Sequence, residues 1–294
     1  MKFVDPKNDI AFRKIFGDSQ KTEILISFLN SVLELPSPIA SLTIASPNQI
    51  PRIEGFKETV LDVKAVDAAG REFIVEMQVE GNEMFGKRAL YYAAKSYVGQ
   101  IKKAEDYSIL KPVYFVGILN FDLFDGKSYI TRHVLVNSQS GRQDLKDIEL
   151  NFIELKKFDK DETQLTDILD KWIYFIKNAE NLKIVPAAIT EPEIKEAFDT
   201  ADQHNWSEEE MYIYDYWSGK KGDKLCQLIT AENKGIAKGL QKGLQKGIAK
   251  GLQKGEKKKA IEIARNCIDQ RMDYKTIQQI TGLTFEEIEA LRKK

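Results

Sequence analysis

Four polar residues whose types suit metal-dependent chemistry share one face of a predicted β-hairpin. Residues 59–80 (T-V-L-D-V-K-A-V-D-A-A-G-R-E-F-I-V-E-M-Q-V-E) alternate strictly between apolar and polar side chains on both sides of Ala68-Ala69-Gly70. Such alternation predicts two strands, and a three-residue loop ending in Gly suits a type I turn followed by a left-handed residue. The loop fixes four opposing pairs: Asp67 with Arg71, Lys64 with Ile74, Asp62 with Glu76, and Val60 with Gln78.

The two faces of this hairpin differ in polarity. The odd-numbered face is predicted to pack against a core, because all of its members are apolar: Leu61, Val63, Ala65, Phe73, Val75, Met77 and Val79. The other face holds Asp62, Lys64, Glu76 and Gln78. A solvated face is the simplest interpretation, but two like charges directly opposite each other destabilise a sheet. A divalent cation between Asp62 and Glu76 is the chemical alternative, since one or two carboxylates commonly hold Mg²⁺.

An ordered series of motifs resembles the PD-(D/E)XK nuclease superfamily, and within it the branch of recombination-promoting nucleases and transposases (Rpn). The motifs are D-P-K-N-D-I-A-F-R-K-I-F-G-D (5–18), L-D-V-K-A (61–65), I-V-E-M-Q-V (74–79), R-A-L-Y-Y-A-A-K-S-Y (88–97) and a Gly-Lys-rich tail. The resemblance covers most of the chain. It implies a Mg²⁺-dependent endonuclease that acts on DNA, with Mn²⁺ as a substitute ion.

The resemblance also implies roles for residues of the hairpin. Asp62 and Glu76 become metal ligands, with the backbone carbonyl of Met77 as the third. Gln78 stands where the superfamily usually has a Lys that orients or activates the attacking water, and Gln forms hydrogen bonds but carries no charge. Lys64 lies on the same face and is the alternative replacement for that Lys.

Two predicted helices add further candidates. Residues 8–34 are predicted to form two helices separated at Gly17-Asp18-Ser19, the second capped by Asp18 or Ser19. The superfamily commonly places an acid from this region near the metal, and Glu23 is the candidate accessory acid. A Glu in a first helical turn is also favoured by the helix dipole, so a structural role stays open.

A predicted helix over residues 83–103 carries Arg88, Tyr92 and Lys95 on one face. A basic and aromatic face beside a metal site suits contact with a nucleic-acid backbone. The alternative is that Tyr92 is a core residue, while the stems of the two basic side chains lie on apolar surface.

The order of elements predicts an α/β fold, a restriction-endonuclease-like mixed sheet flanked by helices. Residues 1–160 are assigned to a nuclease core, 161–233 to a helical region, 234–259 to a basic repeat and 260–294 to a helical hairpin. Further strands are expected at Val113–Leu119, Tyr129–Val136 and Leu150–Leu155. A capping box formed by Ser207 and Glu210 is predicted to start a helix that ends at Tyr216 or Trp217.

The tail repeats Lys-Gly six times at four-residue spacing between positions 234 and 255, and Ile or Leu recurs at the same spacing. Six glycines cost a lone helix roughly 5–6 kcal/mol, so an isolated helix is expected to be frayed or absent. The alternatives are a helix that forms on homodimerisation, a flexible basic arm for phosphates, or a repeat without a role. Residues 234–259 carry a net charge of +8, against −9 for the rest.

The C-terminal residues 274–292 predict two helices joined at Gly282, the second with a Thr284–Glu287 capping box. This pattern resembles a helix-turn-helix. The second helix begins Phe285-Glu286-Glu287, which is acidic where contacts to bases are needed, so a hairpin for self-association is favoured over a DNA reader.

The composition of the chain limits the kinds of catalytic site that it can form. The chain has two Cys and two His without the spacing of a zinc site or a disulfide framework, so carboxylates and a hard cation are expected to carry any hydrolysis. No apolar run approaches the ~18 residues of a membrane span, and a cytoplasmic location is expected. Three functions fit: a Mg²⁺-dependent DNA endonuclease, a non-catalytic nucleic-acid-binding or scaffold protein on a degenerate nuclease fold, and an RNA nuclease with the same residues.

Overall fold

A six-stranded mixed sheet lies at the centre of the fold in the computed structural model, which describes residues 1–46, 48–49 and 59–292. The described strands are β1 (Leu42–Ala45), β2 (Asn48–Gln49), β3 (Thr59–Val60), β4 (Val63–Asp67), β5 (Glu72–Gln78), β6 (Val113–Leu119), β7 (Ile130–Val134) and β8 (Ile148–Glu154). The sheet order is β1-β4-β5-β6-β8-β7, and β2 pairs separately with β3. Strands β5, β6 and β8 are mutually parallel, and the other pairs in the sheet are antiparallel.

Helices cover both faces of this sheet. The described α-helices are α1 (Asp9–Phe16), α2 (Thr22–Val32), α3 (Phe85–Gly99), α4 (Ile168–Asn178), α5 (Pro192–Ala201), α6 (Glu208–Asp269), α7 (Tyr274–Thr281) and α8 (Phe285–Arg292). Phe73, Val75 and Met77 of β5 belong to a core that includes α1, α2, α4 and α5. Ile74 packs on the opposite face with Phe85 of α3. The predicted α/β fold with a mixed sheet flanked by helices is confirmed.

Helix α3 changes the interpretation of the even-numbered hairpin face. Sequence alternation describes this face as polar, but Ile74 is fully buried under α3. All seven residues of the neighbouring strand β6 are buried, as expected for a central strand covered on both faces. This burial requires a helix on the same side of the sheet as Ile74. The polar residues of the hairpin are therefore confined to the two ends of a covered face.

The hairpin register is confirmed where the two strands pair. Lys64 lies opposite Ile74, and the Asp67 N–H donates to the Arg71 carbonyl at 3.1 Å. Gly70 has a φ of +81°, the left-handed conformation that the loop requires.

The prediction of one unbroken strand from residue 59 is wrong. The chain leaves the strand conformation at Leu61 and Asp62, and Val60 belongs to β3, where it pairs with Asn48 instead of Gln78. Leu61 consequently packs with Ile74 in the core under α3, on the face opposite to the one that its odd number predicts. At this interruption, the Asp62 carboxylate accepts a hydrogen bond from the backbone of β5.

The chain divides into two compact units, Met1–Ser218 and Gly219–Lys294. The finer boundaries at 160, 233 and 259 stay predictions. Helix α6 starts at the predicted capping box, where Ser207 N–H donates to Glu210 and Glu210 N–H donates to Ser207 Oγ. It ends at Asp269, so the predicted end at Tyr216 or Trp217 is wrong.

Helix α6 also includes the Lys-Gly repeat, which was expected to be frayed or absent in isolation. The glycines lower helix stability but do not clash with a helical backbone, while the Lys, Leu, Gln and Ala between them are favourable helix formers. Five apolar side chains of the repeat are exposed: Ile236, Leu240, Leu244, Ile248 and Leu252.

The second unit has a small core of its own near its C-terminus. Ala264 of α6 packs with Ile277 of α7, with Leu283 between α7 and α8, and with Ile288 of α8. Gly282 is left-handed between α7 and α8, and Thr284 and Glu287 form the predicted capping box. Among the described residues, none of the helices has a stretch long and apolar enough to cross a membrane.

Candidate active site

Asp62 and Glu76 meet at the carboxyl end of β5. The Asp62 N–H donates to Glu76 Oε1 at 3.0 Å, and the Met77 N–H donates to Asp62 Oδ2 at 2.9 Å. In a continued antiparallel ladder the Met77 N–H would face the Leu61 carbonyl. The Asp62 carboxylate takes that place, so the break between β3 and β4 is what positions this side chain.

Both carboxyl groups are largely removed from water. Glu76 is 4% exposed and the side chain of Asp62 is 11% exposed. Burial, followed by the charge of Asp62, raises the pKa of Glu76 to about 8. Burial also raises the pKa of Asp62, although the Met77 N–H acts in the opposite direction. Two buried acids with raised pKa values are poorly neutralised by their own surroundings, which is the electrostatic condition that a bound cation relieves.

The donor chemistry of this site fits a hard cation. Two carboxylates at the end of one strand offer oxygen ligands, the type that Mg²⁺ binds together with waters and substrate phosphates. Among the residues that the structure describes, no group of three or more His, Cys, Asp or Glu side chains is arranged to hold a metal. A cation here would therefore have two acidic side chains as ligands and complete its shell with other oxygens.

Met77 and Gln78 lie directly beside these acids. Gln78 Nε2 donates to the Met77 carbonyl oxygen at 3.0 Å. This oxygen is the third ligand implied by the family resemblance, and a carbonyl has two lone pairs, so the amide contact leaves one of them. The structure thus brings Asp62, Glu76, Met77 and Gln78 together at one end of β5.

Lys64, on β4, contacts the opposite end of β5 from the two acids. Its Nζ forms an ion pair with Glu72 Oε2 at 2.9 Å, and the Ser96 hydroxyl of α3 also donates to Glu72. Glu72 is the first residue of β5, whereas Glu76 and Gln78 are near its end. The described contacts of Lys64 do not join it to the two acids.

Helix α1 supplies two residues near the site to which the sequence analysis assigned no role. Arg13 Nη2 donates to Asp62 Oδ1 at 3.2 Å, and the charge of Asp9 contributes to the raised pKa of Asp62. Glu23, the predicted accessory acid, is exposed on α2 and lines a surface pocket with Asn30 and Glu193. The sequence feature that could have identified Asp9 and Arg13 is their i, i+4 spacing within the motif at residues 5–18.

Helix α3 brings two of its three predicted contact residues close to the acids. The Arg88 guanidinium lies over the Phe85 ring at 4.7 Å and the Tyr92 ring at 5.9 Å, and its charge acts on Glu76. Burial, followed by the charge of Glu76, raises the pKa of Tyr92. Lys95 Nζ lies 6.0 Å from the centroid of Tyr91.

Gly117 allows α3 to approach Glu76 this closely. Gly117 pairs with Glu76 across β5 and β6, and a Cβ atom there would lie 3.0 Å from the rings of Phe85 and Phe152. A side chain at this position would require the rings of Phe85 and Phe152 to give by a few tenths of an ångström. The glycine therefore helps to place Arg88 near the acidic pair.

Two buried donors of Arg88 have no partner. Its Nε and Nη2 atoms are inaccessible to solvent and form no hydrogen bond within the described part of the chain. An unsatisfied buried donor costs about 1–3 kcal/mol. The aromatic contacts offset only part of this cost, since a cation–π interaction contributes roughly 0.5–2 kcal/mol.

Comparison with known families identifies two regions of the chain. Residues 6–230 match the family described as PD-(D/E)XK nuclease family transposase. Residues 257–293 match the C-terminal helix-turn-helix domain of the Rpn/YhgA-like nuclease family, which supports the interpretation that the sequence analysis ranked second for α7 and α8. No curated protein and no solved structure matched. Because the first match spans most of the chain, the protein belongs to the PD-(D/E)XK nuclease family transposases, and its resemblance to the Rpn nucleases is confirmed.

Proposed function

We propose that this protein is a Mg²⁺-dependent DNA endonuclease that hydrolyses phosphodiester bonds. The observation that carries the proposal is the contact of Asp62 and Glu76 at the end of β5, where two buried acids are held together by hydrogen bonds to the main chain. The family match supports a nuclease. Mg²⁺ is the proposed ion, with Mn²⁺ as a substitute, because the donor set consists of oxygens.

Each residue of the site has a proposed role. Asp62, Glu76 and the Met77 carbonyl would hold the ion, which, when bound, polarises the phosphate and lowers the pKa of its water. Gln78 orients the attacking water through its amide group. The ion pair of Lys64 with Glu72 favours Gln78 over Lys64 for this role. Glu23 remains a proposed accessory acid, on the basis of the family resemblance alone.

The nucleic acid is proposed to lie along α3. Arg88, Tyr92 and Lys95 are its proposed contacts, and the Lys residues of the repeat add attraction for phosphates through counterion release. The helix-turn-helix match of residues 257–293 supports DNA as the substrate, and RNA is a separate arm of the test.

A homodimer formed through the C-terminal region is part of this proposal. Its basis is the row of exposed Ile and Leu side chains at four-residue spacing in α6. Four residues exceed the 3.6 of a helical turn, so the apolar row winds around the helix and suits right-handed pairing.

Plasmid nicking tests the enzymatic function. We expect supercoiled plasmid to be nicked in Mg²⁺ but not in EDTA, and we expect Asp62→Asn and Glu76→Gln each to reduce nicking at least about 10²-fold while DNA binding is retained. A single-stranded RNA of matched sequence separates DNA from RNA cleavage. The same preparations bind DNA in a gel-shift assay, which verifies that the variants are folded.

A non-catalytic DNA-binding protein is the second candidate. It is favoured by Gln78, which replaces the usual Lys and donates to the carbonyl that a metal would use. Binding of DNA without cleavage in either Mg²⁺ or Mn²⁺ would favour this candidate over the nuclease.

A further inference from the structure

Arg88 is a partly buried cation, and two of its donor atoms form no hydrogen bond within the described part of the chain. Its Nε and Nη2 atoms are inaccessible and have no partner among the described residues. A guanidinium remains charged at any working pH and has five N–H donors but no acceptor. The guanidinium carbon of Arg88 lies 4.7 Å from the centroid of the Phe85 ring and 5.9 Å from that of the Tyr92 ring. The aromatic rings thus position the guanidinium, and they leave its donors for another group.

The nearest opposite charge does not satisfy these donors. Arg88 is one of the charges that act on Glu76, but neither Nε nor Nη2 forms a hydrogen bond with the Glu76 carboxylate. Because Nε and Nη2 are inaccessible to solvent, an acceptor reaches them only when the Arg88 side chain shifts. Such an acceptor must also tolerate a site with both signs of charge.

The other cations near the site are already engaged. Lys64 is paired with Glu72, and Arg13 donates to Asp62. Gln78, at the position where the superfamily usually has Lys, is neutral and its amide donates to Met77. Within the described part of the site, the cation with buried donors that lack a partner is therefore Arg88.

We propose that Arg88 is a catalytic residue that binds the scissile phosphate and supplies the positive charge that is missing at Gln78. This inference rests on the proposed nuclease function and deepens it. The proximity of Arg88 to Glu76 favours the scissile phosphate, because a contact to the DNA backbone elsewhere would not require Arg88 to lie near Glu76. The planar guanidinium matches two phosphate oxygens with two parallel N–H donors, which an ammonium cannot do.

The reaction assigns Arg88 an electrostatic role. The oxygen of water forms a bond to phosphorus, and the bond from phosphorus to one sugar oxygen breaks. A proton leaves the attacking water to solvent, and the departing sugar oxygen takes up a proton from solvent, so one water is consumed and nothing is oxidised or reduced. Negative charge on the phosphate oxygens rises in the transition state, where a positioned guanidinium stabilises it.

Kinetics with three variants test this role. Arg88→Met removes all donors but keeps an apolar stem, Arg88→Lys keeps the charge without the planar fork, and Lys87→Met removes one exposed charge from the neighbouring position of α3 as a matched control. We expect Arg88→Met to lower kcat for nicking in Mg²⁺ about 10²-fold or more, with KM changed less than about threefold. Arg88→Lys should restore less than a tenth of the lost kcat, and Lys87→Met should behave as wild type. An unchanged kcat with a raised KM in Arg88→Met would overturn the proposal.

Inorganic phosphate provides a readout that does not depend on cleavage. At matched ionic strength and in Mg²⁺, we expect phosphate to raise the melting temperature of the wild type and of Lys87→Met, but not of Arg88→Met or Arg88→Lys. Equal stabilisation of wild type and both Arg88 variants would overturn the phosphate site even if the wild type cleaves DNA. If the wild type cleaves nothing but phosphate stabilisation is lost only in the Arg88 variants, the proposed function fails and the phosphate site at Arg88 stands. The melting temperatures of the variants without phosphate show whether they are folded.

Discussion

The backbone N–H of Asp62 donates to the carboxylate of Glu76 at 3.0 Å, and this bond joins two acidic residues that are 14 positions apart in the chain. The Asp62 carboxylate in turn accepts from the Met77 N–H. The main chain therefore positions both acids, so amide substitutions at either position keep the shape of the site. Loss of activity in such variants would report on the lost charge and on the loss of a proposed metal ligand.

Stability of the metal-free protein is expected to fall as the pH rises from about 5 to about 8. The pKa of Glu76 is raised from 4.5 to about 8, mainly by burial. In this pH range the folded protein keeps a proton that the unfolded chain releases, so the free energy of unfolding decreases as pH increases. Urea denaturation in EDTA at pH 5, 6.5 and 8 measures the effect.

Glu76→Gln is the matched control for this pH dependence, because the amide has nearly the same shape and does not titrate. We expect its stability to change less than that of the wild type over the same range, and to exceed that of the wild type at pH 8. Parallel pH profiles for the two proteins would show that Glu76 is not the group responsible.

Arg13→Gln is expected to reduce the Mg²⁺ concentration needed to stabilise the protein. Arg13 donates to Asp62 Oδ1 at 3.2 Å and so places a positive charge on a proposed metal ligand. Removing this charge should tighten Mg²⁺ binding several-fold, since like charges near a site disfavour each other. The midpoint of the Mg²⁺-dependent rise in melting temperature measures this change. Arg142→Gln removes an equal charge at an exposed position and should leave the midpoint unchanged; a weaker Mg²⁺ response in Arg13→Gln would contradict the interpretation.

Leu240→Gln combined with Leu244→Gln is expected to convert the proposed homodimer to a monomer. These side chains are 74% and 64% exposed, so they contribute little to the fold of a single chain and are available to a second copy. Light scattering measures the mass, and circular dichroism should show a loss of helix on dissociation because the glycine-rich repeat is a weak helix alone. Gln241→Ala with Gln245→Ala is the control on the same helix. A mass that is the same in the wild type and the Leu variant would remove the apolar row from the interface.

Short-range sequence patterns predicted those parts of the sheet that depend on neighbouring residues. The register of β4 and β5 follows from alternation and the left-handed Gly70, and Val113–Leu119 was predicted with its observed bounds from its continuous apolar run. The break between Gly17 and Ser19 is also found between α1 and α2. The predicted cap of α2 at Asp18 or Ser19 is wrong, because the residue preceding this helix is Lys21 and makes no side-chain cap.

Long-range contacts explain what the sequence pattern could not provide. The interruption at Leu61 and Asp62 depends on hydrogen bonds to β5, and alternation gives no sign of it. The approach of Asp9 and Arg13 to the site depends on how α1 packs against the sheet. The proximity of Asp62 and Glu76 was predicted from a continued hairpin register, whereas in the structure the Asp62 N–H joins them by donating to the Glu76 carboxylate. The unused donors of Arg88 become visible only when the packing of α3 is known.

Direct measurement of metal binding tests the central claim that Asp62 and Glu76 share one cation. Mn²⁺ can be titrated into the full-length protein and the free ion followed by electron paramagnetic resonance. The account predicts one site per chain in the wild type, competition by Mg²⁺, and loss of that site in the Asp62→Asn/Glu76→Gln double variant. Equal Mn²⁺ binding by the wild type and a folded double variant would contradict it.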